Sequence, residues 1–261
     1  YAGFLTMASI LLIQALFFGD GGLLAYGCNV LNLGFYTCFI AYPFIYKRMT
    51  SRNTNTGRIF GASMLAAVLG LQLGALSVVL ETVLSGKTEL PFGVFLMFMQ
   101  PIHLAIGVVE GLATAAVVVF VWRARPELLE KTAGGKAIGE LPVKNVMAAL
   151  LALTIVVGGI FSWFASSDPD GLEWSIERTA SKAELEASDN IHGMLAAIQS
   201  KIEILPEYSF ADNAEGEAEE VWPAVSTGTS VSGIVGGVLT LALAAFSGLL
   251  IGLCKKYKKR T

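Results

Sequence analysis

The chain has 261 residues, of which 54% are hydrophobic and only 15% are charged, and its mean hydropathy is +0.63. Soluble domains carry about 25% charged residues, so this composition excludes an ordinary soluble domain and indicates a membrane protein. The net charge is −3, and because the basic clusters lie at the ends of apolar segments rather than in a nucleic-acid-binding patch, we expect no nucleic-acid partner. Since a helix satisfies its own backbone hydrogen bonds in lipid, we predict an all-α polytopic membrane protein in the bilayer of the cell membrane.

Six apolar segments are long enough, or nearly long enough, to cross the hydrocarbon core, which takes roughly 20 residues. They are Tyr1–Phe18, Leu31–Tyr46, Ile59–Leu84, Pro101–Trp122, Val143–Phe164 and Val231–Leu253. A further apolar piece, Phe92–Met99, is too short to span. It is either a re-entrant or interfacial segment or an early start of the fourth helix. The sequence therefore predicts about six transmembrane helices and a small acidic segment outside the membrane.

The charged residues alternate in type from loop to loop. Residues 47–58 carry four basic residues and no acid, residues 122–144 carry five basic residues and three acids, and the tail KKYKKR carries five basic residues. Residues 165–230 instead carry three basic and fourteen acidic residues. Cytoplasmic loops of membrane proteins are enriched in Lys and Arg. This pattern places the C-terminus in the cytoplasm and residues 165–230, the acidic loop, outside.

The acidic loop is the only sizeable segment between membrane spans, and its apolar content is too small for a large core of its own. One helix is predicted within it, over Thr179–Ile204, because apolar residues recur there at helical spacing. The residues of this apolar stripe are Leu185, Met194, Leu195, Ile198 and Ile202. We therefore expect the acidic loop to form a small cap on the membrane part.

The sequence GDGG follows the first apolar segment. Asp20 lies between glycines, which adopt positive φ easily, and Asp favours turns and helix caps. Asn29 and Asn32 come shortly afterwards, and Asn is among the preferred N-cap residues. We therefore expect Asp20 in a turn and the two asparagines as N-caps of the second helix.

Two ionisable residues lie within the fourth predicted span. His103 and Glu110 are about two helical turns apart, with Gly107 between them on nearly the same face. A small residue lets a neighbouring helix approach closely, so we expect this polar stripe to face other helices. An intramembrane carboxylate indicates a functional site, or else Glu110 only pairs with a neighbouring helix. His103 is likewise either a metal-contacting residue or a hydrogen-bonded interface histidine.

The sequence lacks the GxxxxGK[ST], GxSxG and HExxH motifs. These motifs are typical of nucleotide-phosphate binding, acyl transfer and zinc-dependent hydrolysis, respectively. We therefore expect no ATP hydrolysis by this chain itself. If the transported solute moves uphill, the energy comes from ATP hydrolysis in another subunit or from an ion gradient.

Two long stretches carry a family resemblance. They read LLIQALFFGDGGLLAYGCNVLNLG and IHLAIGVVEGLATA. Both resemble signatures of the membrane substrate-capture subunit of nickel/cobalt energy-coupling-factor transporters, the CbiM/NikM family, and they occur in the family's order. The resemblance covers roughly residues 1–125. It implies that Asp20, Asn29 and Asn32 are fixed parts of a family turn.

A third stretch, DPDGLEWS, resembles the Pro-Asp-Gly-Leu-Glu signature of the small accessory subunit (CbiN/NikN-like), which is often fused to the capture subunit. The predicted organisation follows from the two resemblances and the charge pattern. It consists of a capture-subunit core over 1–125, a cytoplasmic linker over 126–142, an accessory module over 143–254 that includes the acidic loop, and a basic cytoplasmic tail over 255–261.

The resemblance implies uptake of Ni²⁺ or Co²⁺, captured at the outer face and driven by ATPase subunits through a transmembrane coupling subunit. In the family the metal is held chiefly by an N-terminal Met-His end and by a histidine in an early helix. Neither segment is among these 261 residues. We therefore expect an N-terminally truncated chain and assign it no primary metal ligand. No covalently bound cofactor is expected. The residues expected to support the metal site or line its pathway are His103, Glu110, Asp20, Asn29 and Asn32.

Two other function classes fit the same residues. One is a membrane scaffold or sensor whose acidic loop is a binding module. The other is an ion-gradient-driven secondary carrier with Glu110 as its proton site. Nickel and cobalt are not distinguished by these residues.

Overall fold

A computed structural model describes residues 1–51, 54–87, 90–134, 143–165, 169–181, 190–210 and 222–258. Within these ranges the regular structure is helical, without a β-strand, and the predicted all-α fold is confirmed. The helices are α1 (Ala2–Phe18), α2 (Tyr26–Thr50), α3 (Thr56–Ser85), α4 (Phe92–Ala124), α5 (Pro126–Ala133), α6 (Lys144–Gly159), α7 (Gly171–Ala180), α8 (Asn190–Ile202) and α9 (Thr227–Lys258). Short 3₁₀ turns cover Phe161–Phe164 and Pro206–Tyr208.

Four of the helices in the described ranges are long and apolar enough to cross a membrane. They are Tyr26–Thr50, Thr56–Ser85, Phe92–Ala124 and Thr227–Cys254. Two of the six predicted spans form shorter apolar helices, Ala2–Phe18 and Lys144–Gly159. The chain is therefore a multi-pass membrane protein, with four helices of full spanning length among the described residues.

Local chemistry sets several helix ends. The Asn55 side chain accepts a hydrogen bond from the backbone N–H of Arg58 at 2.9 Å and caps α3, as expected for an N-cap asparagine. Helix α4 begins at Phe92, directly after Pro91. The segment Phe92–Met99 is therefore the first part of the fourth predicted span, which was one of the two alternatives. Pro101 lies inside this helix.

The prediction of one helix over Thr179–Ile204 is wrong. Helix α7 ends at Ala180, and Ser181 has a φ of +58°, a left-handed conformation that stops an α-helix. Helix α8 begins at Asn190. Within the predicted stripe, Leu195 is half-buried, whereas the side chains of Met194, Ile198 and Ile202 are exposed. Leu185 lies outside the described residues.

The described residues form two compact units that are discontinuous in sequence. The first contains Tyr1–Val30, Leu150–Ser167 and Ala187–Thr261, and the second contains Leu31–Ala149 and Asp168–Glu186. These units group residues that are close in space, whereas the predicted domains 1–125 and 143–254 are continuous stretches of sequence. The boundaries of those domains stay a prediction.

The first unit packs α1 against α9. Its buried apolar cluster consists of Ile13, Phe18 and Leu205, with Tyr208 and Leu239 packed against it. In this unit, Leu205 and Tyr208, which follow helix α8, therefore pack against the end of the N-terminal helix.

The second unit is built on the pairing of α3 with α4 and of α4 with α7. Its apolar cluster is formed by Ala75, Val79, Leu90, Phe95 and Met99. The two helices α3 and α4 also exchange hydrogen bonds. The Gln72 side chain donates to the backbone carbonyl of Gln100 at 2.9 Å, and the Gln100 side chain donates to that of Gln72 at 3.3 Å. This reciprocal pair of half-buried amides favours one register of the two apolar helices.

Candidate functional site

The loop after α1 is a glycine-rich turn, as the sequence predicts. Gly19, Gly21 and Gly22 have φ values of +72°, +80° and +66°, a conformation that glycine adopts at no steric cost. Asp20 lies within this turn, and its side chain is exposed.

The Asp20 carboxylate accepts hydrogen bonds from two side chains, one nearby in sequence and one 188 residues away. The Gln14 amide nitrogen donates to Asp20 Oδ2 at 3.0 Å and also lies 3.1 Å from the Tyr208 hydroxyl oxygen. The Tyr208 hydroxyl donates to the same Asp20 oxygen. Together, Gln14, Asp20 and Tyr208 form the turn cluster of the first unit.

Further hydrogen bonds connect the backbone of the same turn and of Phe17 to α8 and to the residues that follow it. The Gln199 side chain donates to the Gly19 carbonyl at 2.6 Å and accepts from the Leu23 N–H at 3.0 Å. The N–H groups of Ile204 and Leu205 both donate to the Phe17 carbonyl, at 3.0 and 3.1 Å. Residues 199–208 therefore hydrogen-bond to the turn itself and to the chain just before and just after it.

The turn cluster keeps the Tyr208 hydroxyl protonated. Burial raises the pKa of Tyr208, and the hydrogen bond to the Asp20 carboxylate raises it further. The ring also stacks on Phe18, with the ring centroids 4.8 Å apart. Tyr208 therefore acts as a hydrogen-bond donor at neutral pH, with its ring anchored in the apolar cluster.

The predicted N-cap roles of Asn29 and Asn32 are wrong. Helix α2 already begins at Tyr26, so both asparagines lie inside it. Asn29 donates from its side chain to the Gly21 carbonyl at 3.1 Å, and it thereby closes the glycine-rich turn. The Asn32 side chain points away from the helix start, because it hydrogen-bonds to α3.

A second polar cluster lies between α2 and α3 in the second unit. Asn32 Nδ2 donates to Glu81 Oε2 at 2.9 Å, the Ser77 hydroxyl donates to Glu81 Oε1 at 3.2 Å, and the Tyr36 hydroxyl donates to Ser77 at 3.2 Å. Asn32 is only 5% exposed, and Glu81 is half-buried. We call Asn32, Tyr36, Ser77 and Glu81 the α2–α3 cluster.

The α2–α3 cluster depends on an unusually close approach of the two helices. A Cβ atom added to Gly74 would collide with the backbone carbonyl oxygen of Asn32. In addition, residues Val30–Tyr46 of α2 are π-helical, a conformation that is rare and often found at functional sites. The sequence predicts a role for Asn32 but carries no signal that Glu81, 49 residues away, is its partner.

His103 lies on α4 near α7 and is half-buried. Its Nδ1 is 2.8 Å from the Met99 carbonyl oxygen. Because a carbonyl only accepts, Nδ1 carries a proton in this bond, and in the neutral ring Nε2 is then the nitrogen without a proton. A Cβ on Gly171, the first residue of α7, would be 3.3 Å from Nε2. The imidazole therefore faces the start of the helix that carries the Pro-Asp-Gly-Leu-Glu sequence.

Glu110 lies on an exposed face of α4, whereas Gly107 and Gly111 are buried against α3. A Cβ on Gly107 would be 3.3 Å from Val68 Cα, and one on Gly111 would be 3.3 Å from Met64 Cα. The two glycines therefore provide the close helix contact predicted from their spacing. The side chain of Glu110 is exposed in the described part of the chain, so the expectation that Glu110 faces neighbouring helices together with the glycines is wrong, because it lies on the other side of α4.

The five predicted residues are therefore divided between several places. Asp20 and Asn29 belong to the glycine-rich turn, Asn32 belongs to the α2–α3 cluster, and His103 and Glu110 occupy separate positions on α4. Among the residues that the structure describes, no group of three or more His, Cys, Asp or Glu side chains is arranged to hold a metal ion.

Comparison with known protein families gives two matches in tandem. The family model described as a cobalt uptake substrate-specific transmembrane region (CbiM) matches residues 1–128. The model described as a PDGLE domain matches residues 144–253.

Several curated relatives are named as nickel or cobalt transport proteins. The chain is 31% identical to a putative fused nickel transport protein (NikMN) of Archaeoglobus fulgidus, over 93% of this chain and 70% of the relative. It is 33% identical to a probable fused nickel transport protein (LarMN) of Lactiplantibacillus plantarum, over 51% of this chain and 42% of the relative. It is 35% identical to a cobalt transport protein (CbiM) of Geobacter sulfurreducens, over 57% of this chain and 45% of the relative. The aligned part is less than half of the last two relatives. No solved structure matches the chain.

Proposed function

The chain belongs to the family of fused nickel and cobalt transport proteins, in which a CbiM-type transmembrane region precedes a PDGLE domain, and from this premise we propose that it is the substrate-capture component of an ATP-driven uptake transporter for Ni²⁺ or Co²⁺. The observation that carries the proposal is the similarity to a fused nickel transport protein along 93% of this chain. It covers both regions in a single alignment, so it does not depend on one short motif.

The membrane architecture supports this function. Four helices among the described residues have the length and composition of membrane spans, and a dication that crosses a bilayer needs a protein route because burial of a charge in lipid is costly. Within this function the proposed sequence domains are the capture core over 1–125 and the accessory module over 143–254, joined by the linker 126–142.

The proposed partners are a transmembrane coupling subunit and separate ATPase subunits, and the cargo is the metal dication. Because the sequence has no GxxxxGK[ST] motif, which holds the phosphates of a nucleotide, we assign ATP hydrolysis to those subunits. This chain then supplies the route of the metal ion and the surfaces that keep this route in its working conformation.

The proposed orientation places the C-terminus in the cytoplasm. Basic residues cluster at 47–58, at 122–144 and in the tail, and this distribution favours the cytoplasmic side for all three. The glycine-rich turn, the end of α3 that carries Glu81 and the acidic loop are then on the outer side. In this orientation the turn cluster is part of the outer surface that the metal first reaches.

Metal uptake by whole cells tests the proposal. A host without its own nickel and cobalt importers is given the protein that contains this chain, alone or with the coupling and ATPase subunits of its source organism. We expect accumulation of radioactive nickel or cobalt with all the subunits, and its loss when the ATPases carry an inactivating substitution. Absence of uptake with all the subunits present would contradict the proposal and favour a scaffold or sensor.

A second measurement separates ATP-driven uptake from a secondary carrier. The proton gradient is collapsed with an uncoupler in right-side-out vesicles that are loaded with a constant concentration of ATP. The proposed transporter retains its uptake, whereas a carrier with Glu110 as its proton site stops. Glu110→Gln is the matched variant. It should abolish uptake by a proton-coupled carrier, whereas uptake by the proposed transporter should still depend on ATP.

A further inference from the structure

The α2–α3 cluster contains a buried polar atom without a partner. Asn32 is 5% exposed, and its Oδ1 atom makes no hydrogen bond among the described residues. Leaving such an acceptor unsatisfied costs about 1–3 kcal/mol. The nitrogen of the same carboxamide donates to Glu81, so the unpaired oxygen lies beside a carboxylate. This arrangement is costly unless a positive or hydrogen-bond-donating ligand enters.

We propose that the α2–α3 cluster is a cation-binding site, in which Glu81 and the Asn32 side-chain oxygen bind a partly hydrated divalent cation. The proposal deepens the proposed function and rests on it, because it identifies this cation as the transported metal in passage. It assigns a ligand role to Glu81, which sequence analysis did not select, and gives Asn32 a second role besides its hydrogen bond.

The oxygens of the cluster form a suitable donor set. The Glu81 carboxylate has several lone pairs besides the two that accept from Asn32 and Ser77, and the Asn32 amide adds a neutral carbonyl oxygen. Carboxylate, carbonyl and water oxygens suit dications that keep part of their hydration shell. Glu81 is half-buried, so water can reach one side of the site and complete the coordination.

Neighbouring groups hold the donors in place. The Ser77 hydroxyl, itself an acceptor of the Tyr36 hydroxyl proton, orients one carboxylate oxygen, and the Asn32 nitrogen orients the other. The close contact of Asn32 with Gly74 fixes the backbone that carries the amide. The donors are therefore pre-positioned by two packed helices, a requirement for binding an ion without large rearrangement.

The composition of the site suits passage rather than storage. One charged ligand and neutral oxygens bind Ni²⁺ or Co²⁺ more weakly than a nitrogen-rich set would, and a transport route needs binding that is weak enough to allow exit. The site lies near the end of α2 opposite to Lys47 and Arg48. In the proposed orientation this end is the outer one, where an incoming cation arrives.

Equilibrium binding of Mn²⁺ tests the site without any transport. Mn²⁺ prefers oxygen ligands, and its electron paramagnetic resonance signal reports the free ion. The probe is titrated into the purified full chain in lipid nanodiscs. We expect binding by the wild type, displacement of bound Mn²⁺ by Co²⁺, and affinity weakened by ~10-fold or more in Glu81→Gln, because even partners outside the ligand shell are worth about 10–100-fold. Glu177→Gln is the matched control, since Glu177 is an exposed carboxylate in the same unit, and its affinity should equal that of the wild type.

A gain-of-function variant separates a cation site from a structural hydrogen bond. Asn32→Asp places a second carboxylate beside Glu81. For a cation site, Mn²⁺ binds this variant more tightly than the wild type, and added Mn²⁺ raises its thermal stability because the ligand binds only the folded state. If Asn32 and Glu81 form only a structural hydrogen bond, the two carboxylates of the variant repel each other. Added Mn²⁺ then does not raise the thermal stability of the variant. That second result would overturn the proposal, even if Glu81→Gln does not fold.

The readouts also separate this proposal from the transport function. If the wild type binds Mn²⁺ with the expected variant pattern but the complete system takes up neither metal, the transport function fails and the cation site stands. If the complete system takes up metal and Glu81→Gln binds Mn²⁺ as the wild type does, the transport function stands and this site is wrong.

Discussion

The hydroxyl group of Tyr208 makes a specific energetic prediction, because it connects two segments 188 residues apart in sequence. Tyr208→Phe removes the hydroxyl but keeps the ring that stacks on Phe18 and packs in the apolar cluster of the first unit. The change therefore deletes two hydrogen bonds, to Asp20 and from Gln14, with little loss of packing.

The expected cost is about 1 kcal/mol. A hydrogen bond to a charged group contributes about 1.5–3 kcal/mol when the partners are buried, but Asp20 is exposed and water can replace the lost donor, which reduces the effect. The coupling between the two residues should be of the same size, since most of the loss comes from this one contact.

A double-mutant cycle measures that coupling. The free energy of unfolding of the wild type, Tyr208→Phe, Asp20→Ala and the double variant is obtained from denaturant titrations followed by tryptophan fluorescence. We expect the effects of the two single changes to sum to about 1 kcal/mol more than the effect of the double change. The matched control is Tyr42→Phe, which removes an exposed tyrosine hydroxyl and should change nothing. Additive effects of Tyr208→Phe and Asp20→Ala would refute the reasoning.

Three other features each predict one measurement: the pKa of Tyr208, the close packing at Gly74 and the orientation in the membrane. The pKa of Tyr208 is raised above its ordinary value of 10.0, so its stabilising contribution is complete below that pH and is lost as the pH rises through the raised pKa. The stability difference between the wild type and Tyr208→Phe should be constant between about pH 6 and pH 9 and shrink only above pH 10, and a difference that already falls between about pH 6 and pH 9 would contradict this. Gly74→Val should lower the free energy of unfolding by about 1–3 kcal/mol, because its Cβ would collide with a backbone carbonyl of α2. Gly61→Ala, with open space around its Cβ, should be neutral or stabilising, and equal losses in the two variants would exclude close packing as the cause. Finally, an impermeant thiol reagent added outside the cell should label Cys28 but not Cys254, two exposed cysteines, in chains that retain only the one cysteine. Labelling of Cys254 would reverse the proposed orientation.

The sequence by itself determined the class of the protein and its family. Long apolar segments separated by charged loops suffice to predict membrane helices, because the cost of placing charged residues in lipid depends on composition rather than on tertiary contacts. The glycine-rich turn at Asp20 was also predictable, since positive φ is a local property of the backbone.

Only the tertiary structure decided what the polar side chains contact. The N-cap interpretation of Asn29 and Asn32 was wrong because helix α2 begins earlier, at Tyr26, and helix boundaries are weakly specified by sequence. The partners that matter, Tyr208 for Asp20 and Glu81 for Asn32, are separated from them by 188 and 49 residues. A hydrogen bond over such a distance in sequence forms only after the helices pack, because packing brings the two groups together, and for the buried Asn32 it also excludes the water that would otherwise satisfy its side chain.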